Sequence, residues 1–161
     1  MITKDTIKEI QQPIAHDEGG IHYKTYNNNT YNYSVDYPQD ILFPQGESGS
    51  GDGQIFKSKD ETCTLWVYRD FRDNMSEAGY TIETAYKQDT EKDNADHPKR
   101  EITYKHADSN SYVISGLDGN KIFYQKTIMK DKQLVTFLLE YKKKDKAQYQ
   151  AITEHISRSF R

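Results

Sequence analysis

The sequence predicts an α+β domain, a mainly antiparallel β-sheet flanked by helices. Three observations predict it. Four strand-like segments follow one another between residues 101 and 141, separated only by Ser109-Asn110, Asp118-Gly119-Asn120 and Asp131-Lys132, and connections that short force antiparallel neighbours. Two later segments, over 76–91 and from Asp145 to the C-terminus, repeat their apolar residues at helical spacing. Strands and helices are segregated along the chain, which argues against a parallel sheet built from alternating units.

The elements follow in order. Residues 1–22 are polar and without sustained period, and read as a tail or leader remnant with a short helix at 4–11; the remaining residues, 23–161, form a single domain. Tyr31, Tyr33, Val35 and Tyr37 alternate with polar residues, which marks a half-buried strand ended by Pro38. Ile41-Leu42-Phe43 is a short apolar piece closed by Pro44, and residues 45–53 hold four glycines and read as a flexible connection. Strands follow at 54–57 and 62–71, with Asp60-Glu61 at the turn. The first helix is expected from an N-cap at Ser76, with Ala78, Ile82, Ala85 and Tyr86 as its apolar stripe. After a charged loop come strands at 101–106, 111–117, 121–130 and 133–141. The last helix is expected from Asp145 as N-cap with Gln148 three residues on, in the manner of a capping box. Its apolar face is Ala147, Tyr149, Ile152, Ile156 and Phe160.

Composition narrows the function. The chain has 161 residues, enough for one domain. Leu, Ile, Val and Phe number only 30, but 13 tyrosines and a tryptophan supply further apolar bodies with polar tips. The formal net charge of −3 is not that of a nucleic-acid binder. Charge is uneven: residues 1–120 carry 12 basic and 21 acidic side chains, residues 121–161 carry 10 and 4. No apolar run is long enough for a transmembrane helix.

Each motif that could carry chemistry fails on its spacing. The glycine loop lacks the Lys and Ser/Thr that a phosphate loop places directly after its glycines, since Gln54 and Ile55 follow Gly53. Ser48, Ser50 and Asp52 alternate as calcium ligands do, but no Glu closes the loop at the required position. The five histidines are scattered, and a lone cysteine cannot build a thiolate zinc site. Cys63, in an apolar strand pattern, reads as a buried inert thiol. No catalytic residue, metal or cofactor is expected. Tyr68, Tyr104, Tyr112, Tyr124 and Tyr141 fall in different strands and read as core and cross-strand pairs, or else as an aromatic groove.

Two stretches carry a family resemblance. One runs from Tyr31-Asn32-Tyr33-Ser34-Val35-Asp36-Tyr37-Pro38 through Pro44-Gln45-Gly46-Glu47 to Gly51-Asp52-Gly53-Gln54. The other runs from Tyr112–Gly116 through Gly119-Asn120-Lys121-Ile122-Phe123-Tyr124, and then Ile156-Ser157-Arg158-Ser159-Phe160. The chain resembles the bacterial, exported lipoprotein-type branch of the PsbP/Mog-like superfamily. The resemblance implies an α/β/α sandwich and a non-catalytic binding module. It also implies export to the periplasm or cell envelope with a leader removed, a cytoplasmic location being the alternative because residues 1–22 lack a secretory apolar run. The expected function is protein binding, most specifically as an immunity-type inhibitor of a secreted (type VI) toxin. The alternatives are a periplasmic carrier or sensor of an apolar ligand, and a structural envelope lipoprotein. The expected contacts are acidic residues on two loops: Glu47, Asp52, Asp70, Asp73 and Glu77.

Overall fold

The structure is a computed structural model and describes residues 16–75, 80–91 and 95–161, with no side-chain description at 74 and 75. Its frame is a seven-stranded sheet of β4 (Leu42–Glu47), β5 (Gly53–Ser58), β6 (Thr64–Asp70), β7 (Arg100–Ala107), β8 (Ser111–Asp118), β9 (Lys121–Lys130) and β10 (Gln133–Lys142). The order across it is β4-β5-β6-β10-β9-β8-β7. Every pairing is antiparallel. The expected meander over 101–141 is present; β9 has the expected bounds, and β7, β8 and β10 run one or two residues longer than expected. Strand β10 sits at the centre between β6 and β9, and both its faces are covered. That is why residues 134–139 are all buried, with Val135, Phe137, Leu139 and Tyr141 in one core and Leu134 and Leu138 in the other.

A second, three-stranded sheet joins the expected strand, β3 (Tyr33–Pro38), to two that lie outside the expected pattern, β1 (Asp17–Glu18) and β2 (Ile21–Asn28). Strand β2 reads IHYKTYNN, too polar to announce itself. It is held by its pairing with β3, from Tyr23 opposite Pro38 to Asn28 opposite Tyr33. Residues 17–22 are therefore structured, while the helix expected at 4–11 lies outside the described residues.

Among the described residues two α-helices complete the fold, α1 (Ile82–Asp89) and α2 (Lys146–Ser159). The β1–β3 sheet and α2 cover one face of the large sheet around Tyr33, Val35, Phe56, Leu65, Phe137, Ile152 and Ile156. Helix α1 covers part of the other through Ile82 and Ala85, against Tyr112, Ile114, Phe123 and Leu134. Both expected helices exist, and Asp145 stands at the N-cap position of α2 as expected. The N-cap of α1 is Thr81, whose Oγ1 accepts from the Thr84 N–H at 3.2 Å; Ser76 lies outside the described residues. Asp145 makes no side-chain cap bond to α2, because a 3₁₀ turn over Lys143–Asp145 leads into the helix. Ala147 is exposed, so the buried face of α2 begins at Tyr149.

Local backbone demands are met where the sequence permits. The β9–β10 hairpin turns on Asp131 and Lys132, both at positive φ (50° and 63°), the two-residue geometry that matches strand twist. Gly116 stands under the bulge of β7 between Ile102 and Tyr104. A Cβ there would lie 1.9 Å from the Glu101 carbonyl oxygen, so only glycine lets the edge strand fold back so closely.

Candidate partner-binding face

The loop joining β4 and β5 is shorter and better held than its glycines imply. Gly46 and Gly53 belong to the flanking strands, leaving Ser48–Asp52. Within it the Asp52 carboxylate accepts from Ser50 Oγ at 2.7 Å and from Ser48 Oγ. These bonds hold its carboxyl below the usual carboxylate range. The body of the protein grips the loop from outside: Tyr33 Oη donates to the Asp52 carbonyl at 2.6 Å, and Asn28 Nδ2 to the Gly51 carbonyl at 2.8 Å. The loop is therefore a fixed feature and not the flexible connection its composition predicts. Glu47 stands beside it and accepts from Tyr26 Oη at 2.8 Å. Burial, together with that bond, pushes the Tyr26 hydroxyl up to about 12.

Next to this loop the sheet is only partly covered. On the face that carries α1, Ile55 sits opposite Trp66, and Gly53 opposite Tyr68. The helix packs over β8 and β9 and leaves β5 and β6 with a shallow depression of about 280 Å³, walled by Ser48, Asp52, Ile55, Trp66 and Tyr68. Ile55 is 38% exposed. Gly53 has no side chain to fill the floor, and a Cβ there would meet the Val67 carbonyl oxygen at 2.0 Å. An exposed apolar floor with a polar rim is the anatomy of a recognition surface.

The expected acidic residues do not form one cluster. Asp52 lies at the depression, while Glu47 turns to the other face of the sheet, where it meets Tyr26. Asp70 is 8% exposed and accepts from the Arg72 backbone N–H at 3.0 Å and from Arg72 Nε at 2.9 Å. Asp73 takes both oxygens to the buried Arg69, at 2.7 and 2.9 Å, and the Arg69 guanidinium lies 4.8 Å from the Phe71 ring centroid. These two carboxylates are committed to internal ion pairs, so a charge reversal there would place lysines against Arg69 and Arg72 instead of leaving the fold untouched. Arg72 continues the network by a two-point contact to Asp89, at 2.7 and 3.1 Å. Glu77 lies outside the described residues.

Two readings of chemistry-bearing groups can be placed. Cys63 is fully buried, just ahead of β6 rather than within a strand; burial pushes its thiol up to about 12, which disfavours the thiolate. The five strand tyrosines split between faces: Tyr104, Tyr124 and Tyr141 share the α2 face, while Tyr68 and Tyr112 share the α1 face, as the registers require. Trp66, the residue that makes the depression aromatic, was not singled out by periodicity. It alternates with Leu65 and Val67 and looks like one more core position in sequence.

Among the described residues no group of three or more His, Cys, Asp or Glu could hold a metal ion, and no helix is long and apolar enough to cross a membrane. No family model matches the chain, and no curated protein matches it. A solved structure does: the chain is similar to cyanobacterial PsbP (CyanoP) from Synechocystis sp. PCC 6803, determined in solution, with a TM-score of 0.63 and 14% sequence identity over 92% of this chain and 98% of that one. The antiparallel sheet packed between α1 on one side and α2 with the small sheet on the other is thus a PsbP-like fold.

Proposed function

We propose that the protein is a non-enzymatic protein-binding module whose partner docks on the Ile55–Trp66–Tyr68 surface with the Ser48–Asp52 loop at its rim. One observation carries the reading: an apolar floor of exposed Ile55 and half-buried Trp66 and Tyr68 stands beside an acidic loop that is already fixed by internal hydrogen bonds. Trp and Tyr are the side chains that most often dominate binding energy. A loop ordered in advance costs little further entropy on association. The occupant is a basic protein surface, since Asp52 edges the depression and residues 1–120 carry the acidic excess. In its finer form the reading is an inhibitor of the bacterial envelope that plugs the basic active site of a secreted toxin, an immunity-type role in keeping with the family resemblance of the sequence.

The test begins with affinity capture from the native organism and proceeds with the purified partner. Trp66→Ala is expected to weaken the complex by about 2 kcal/mol or more, as loss of a central aromatic does. Asp52→Asn is expected to slow association, most at low salt where exposed charges are least screened. Partner binding unchanged in both variants would remove this surface from the interface, and substrate turnover by the isolated protein would end the non-enzymatic reading.

A further inference from the structure

We propose that a cavity at the opposite end of the large sheet, between the C-terminal end of α1 and the edge strand β7, binds a small organic carboxylate on the Nε–Nη2 edge of Arg100. The cavity measures about 400 Å³, with Asp89, Thr90 and Glu91 on the helix side and Arg100, Ile102 and Tyr104 on the strand side. That is the size of a small-molecule site. It is independent of the partner surface proposed above.

Arg100 leaves β7 and crosses the sheet, so that its guanidinium carbon lies 4.1 Å from the centroid of Phe123. Its Nη1 donates to Gln125 Oε1 at 3.5 Å, the long limit of a hydrogen bond. The other two nitrogens, Nε and Nη2, are buried, and among the described residues neither has an acceptor. Native proteins rarely leave buried donors unmatched, charged ones least of all. Nε–H and Nη2–H lie side by side on one edge of the planar group, and that edge is the fork that receives both oxygens of a carboxylate.

Two of the neighbouring acids, Asp89 and Asp118, are engaged elsewhere. Asp89 accepts from Arg72 at 2.7 and 3.1 Å, from Gln125 Nε2 at 3.0 Å and from Tyr112 Oη. Asp118 lies 3.3 Å from His97 Nδ1. The Asp89–Gln125 bond also fixes which end of the Gln125 amide meets Arg100. The guanidinium is thus positioned from one side while its other edge is left over. Burial pushes the Arg100 pKa down, against the pull of Asp118, Glu140 and Asp89, as expected of a cation whose nearest acids do not bond it. Ile102, which shares the α1 face with Phe123, offers an apolar wall, so the ligand that fits is a carboxylate with an apolar body. Because the two nitrogens are out of solvent, side chains at the cavity mouth shift as the ligand enters.

The probe is phenylacetate, with 2-phenylethanol as its uncharged counterpart, titrated into the full chain while the arginine Nε–Hε resonances are followed by NMR. Phenylacetate is expected to move the Arg100 Nε–Hε signal saturably, and 2-phenylethanol to bind at least tenfold more weakly. Arg100→Lys keeps the charge but loses the fork, and is expected to bind phenylacetate at least tenfold more weakly as well. An Arg100 signal unmoved by phenylacetate overturns the proposal. So does equal affinity for the alcohol, and so does undiminished affinity in a folded Arg100→Lys variant. Should that variant fail to fold, the comparison of acid with alcohol on the wild-type chain still decides.

Discussion

At the scale of the residue, the ion pair between Arg69 and Asp73 shows how burial changes what a charge means. Both side chains are nearly inaccessible, at 5% and 9% of their full exposure, and the pair is bidentate. Breaking a buried pair leaves the survivor charged and unpaired, which costs about 3–5 kcal/mol. Asp73→Ala should therefore lower the urea midpoint of unfolding by a correspondingly large step, and a midpoint unchanged within error would show that the pair is solvated. Cys63 gives a second residue-scale expectation. With no exposed surface and a thiol pushed up to about 12, it should react with a thiol reagent at neutral pH only when the protein is unfolded. Fast labelling of the native chain would contradict its burial. Asp70 and Asp73 could be read in the sequence only as acids on a loop. That Arg72 and Arg69 claim them could not, because the pairing depends on how the 3₁₀ turn over Phe71–Met75 folds back on β6.

At the scale of the element, α2 carries its apolar residues where periodicity puts them. Ile152 and Ile156 are fully buried against Tyr33, Val35 and Phe137, and Phe160 is nearly so. Ile156→Ala should cost about 2–5 kcal/mol by the combined loss of burial and creation of a cavity, read as a fall in melting temperature. The edge of the sheet behaves differently. Gly116→Ala would drive a methyl group into the Glu101 backbone, so the damage should concentrate on β7. Hydrogen exchange of the amides of residues 100–107 should accelerate more than that of β9 and β10, and uniform protection in the variant would show that β7 can move outward freely. The helix caps were the least legible part of the elements. The cap of α1 seen among the described residues is Thr81, and Asp145 holds the N-cap position of α2 without a side-chain bond because a 3₁₀ turn precedes it. The tertiary path of the chain, and not only the side chain's intrinsic preference, decides whether a capping bond forms.

At the scale of the whole molecule, one buried cluster ties the small sheet to the C-terminal helix. The His155 ring lies between two carboxylates, its Nδ1 2.9 Å from Glu18 Oε2 and its Nε2 2.9 Å from Asp36 Oδ2, and it stacks on Tyr23 at 3.6 Å. Both contacts are hydrogen bonds only when both ring nitrogens carry protons. Arg158 reaches Glu18 from the outer side at 2.9 Å. Burial alone would raise the Glu18 carboxyl, but its bonds to His155 and Arg158 outweigh that and hold it below its ordinary value. A carboxyl depressed in the folded state contributes stability above its unfolded pKa, and that contribution is lost as pH falls through the lower folded value. Glu18→Gln should therefore reduce stability at neutral pH and flatten its decline below about pH 4. Parallel curves for wild type and variant from neutral to acid pH would show that Glu18 is not linked to folding.

What the sequence by itself determined is the part that depends on near neighbours. Period-two alternation, turns of two or three residues and helical spacing act over a few positions, so the meander of β7–β10, the two helices and the α+β class follow from residues 82–160 alone. The tertiary structure decided what depends on residues far apart in the chain. It recruited the polar β2 through β3, and set the Ser48–Asp52 loop rigid through Tyr33 and Asn28. It placed Asp70 and Asp73 inside and left Trp66 at a surface that α1 does not reach. The physical reason is that burial and hydrogen-bond partnership belong to the packed molecule: the same aspartate is a surface charge or half of a buried ion pair according to what the fold brings against it.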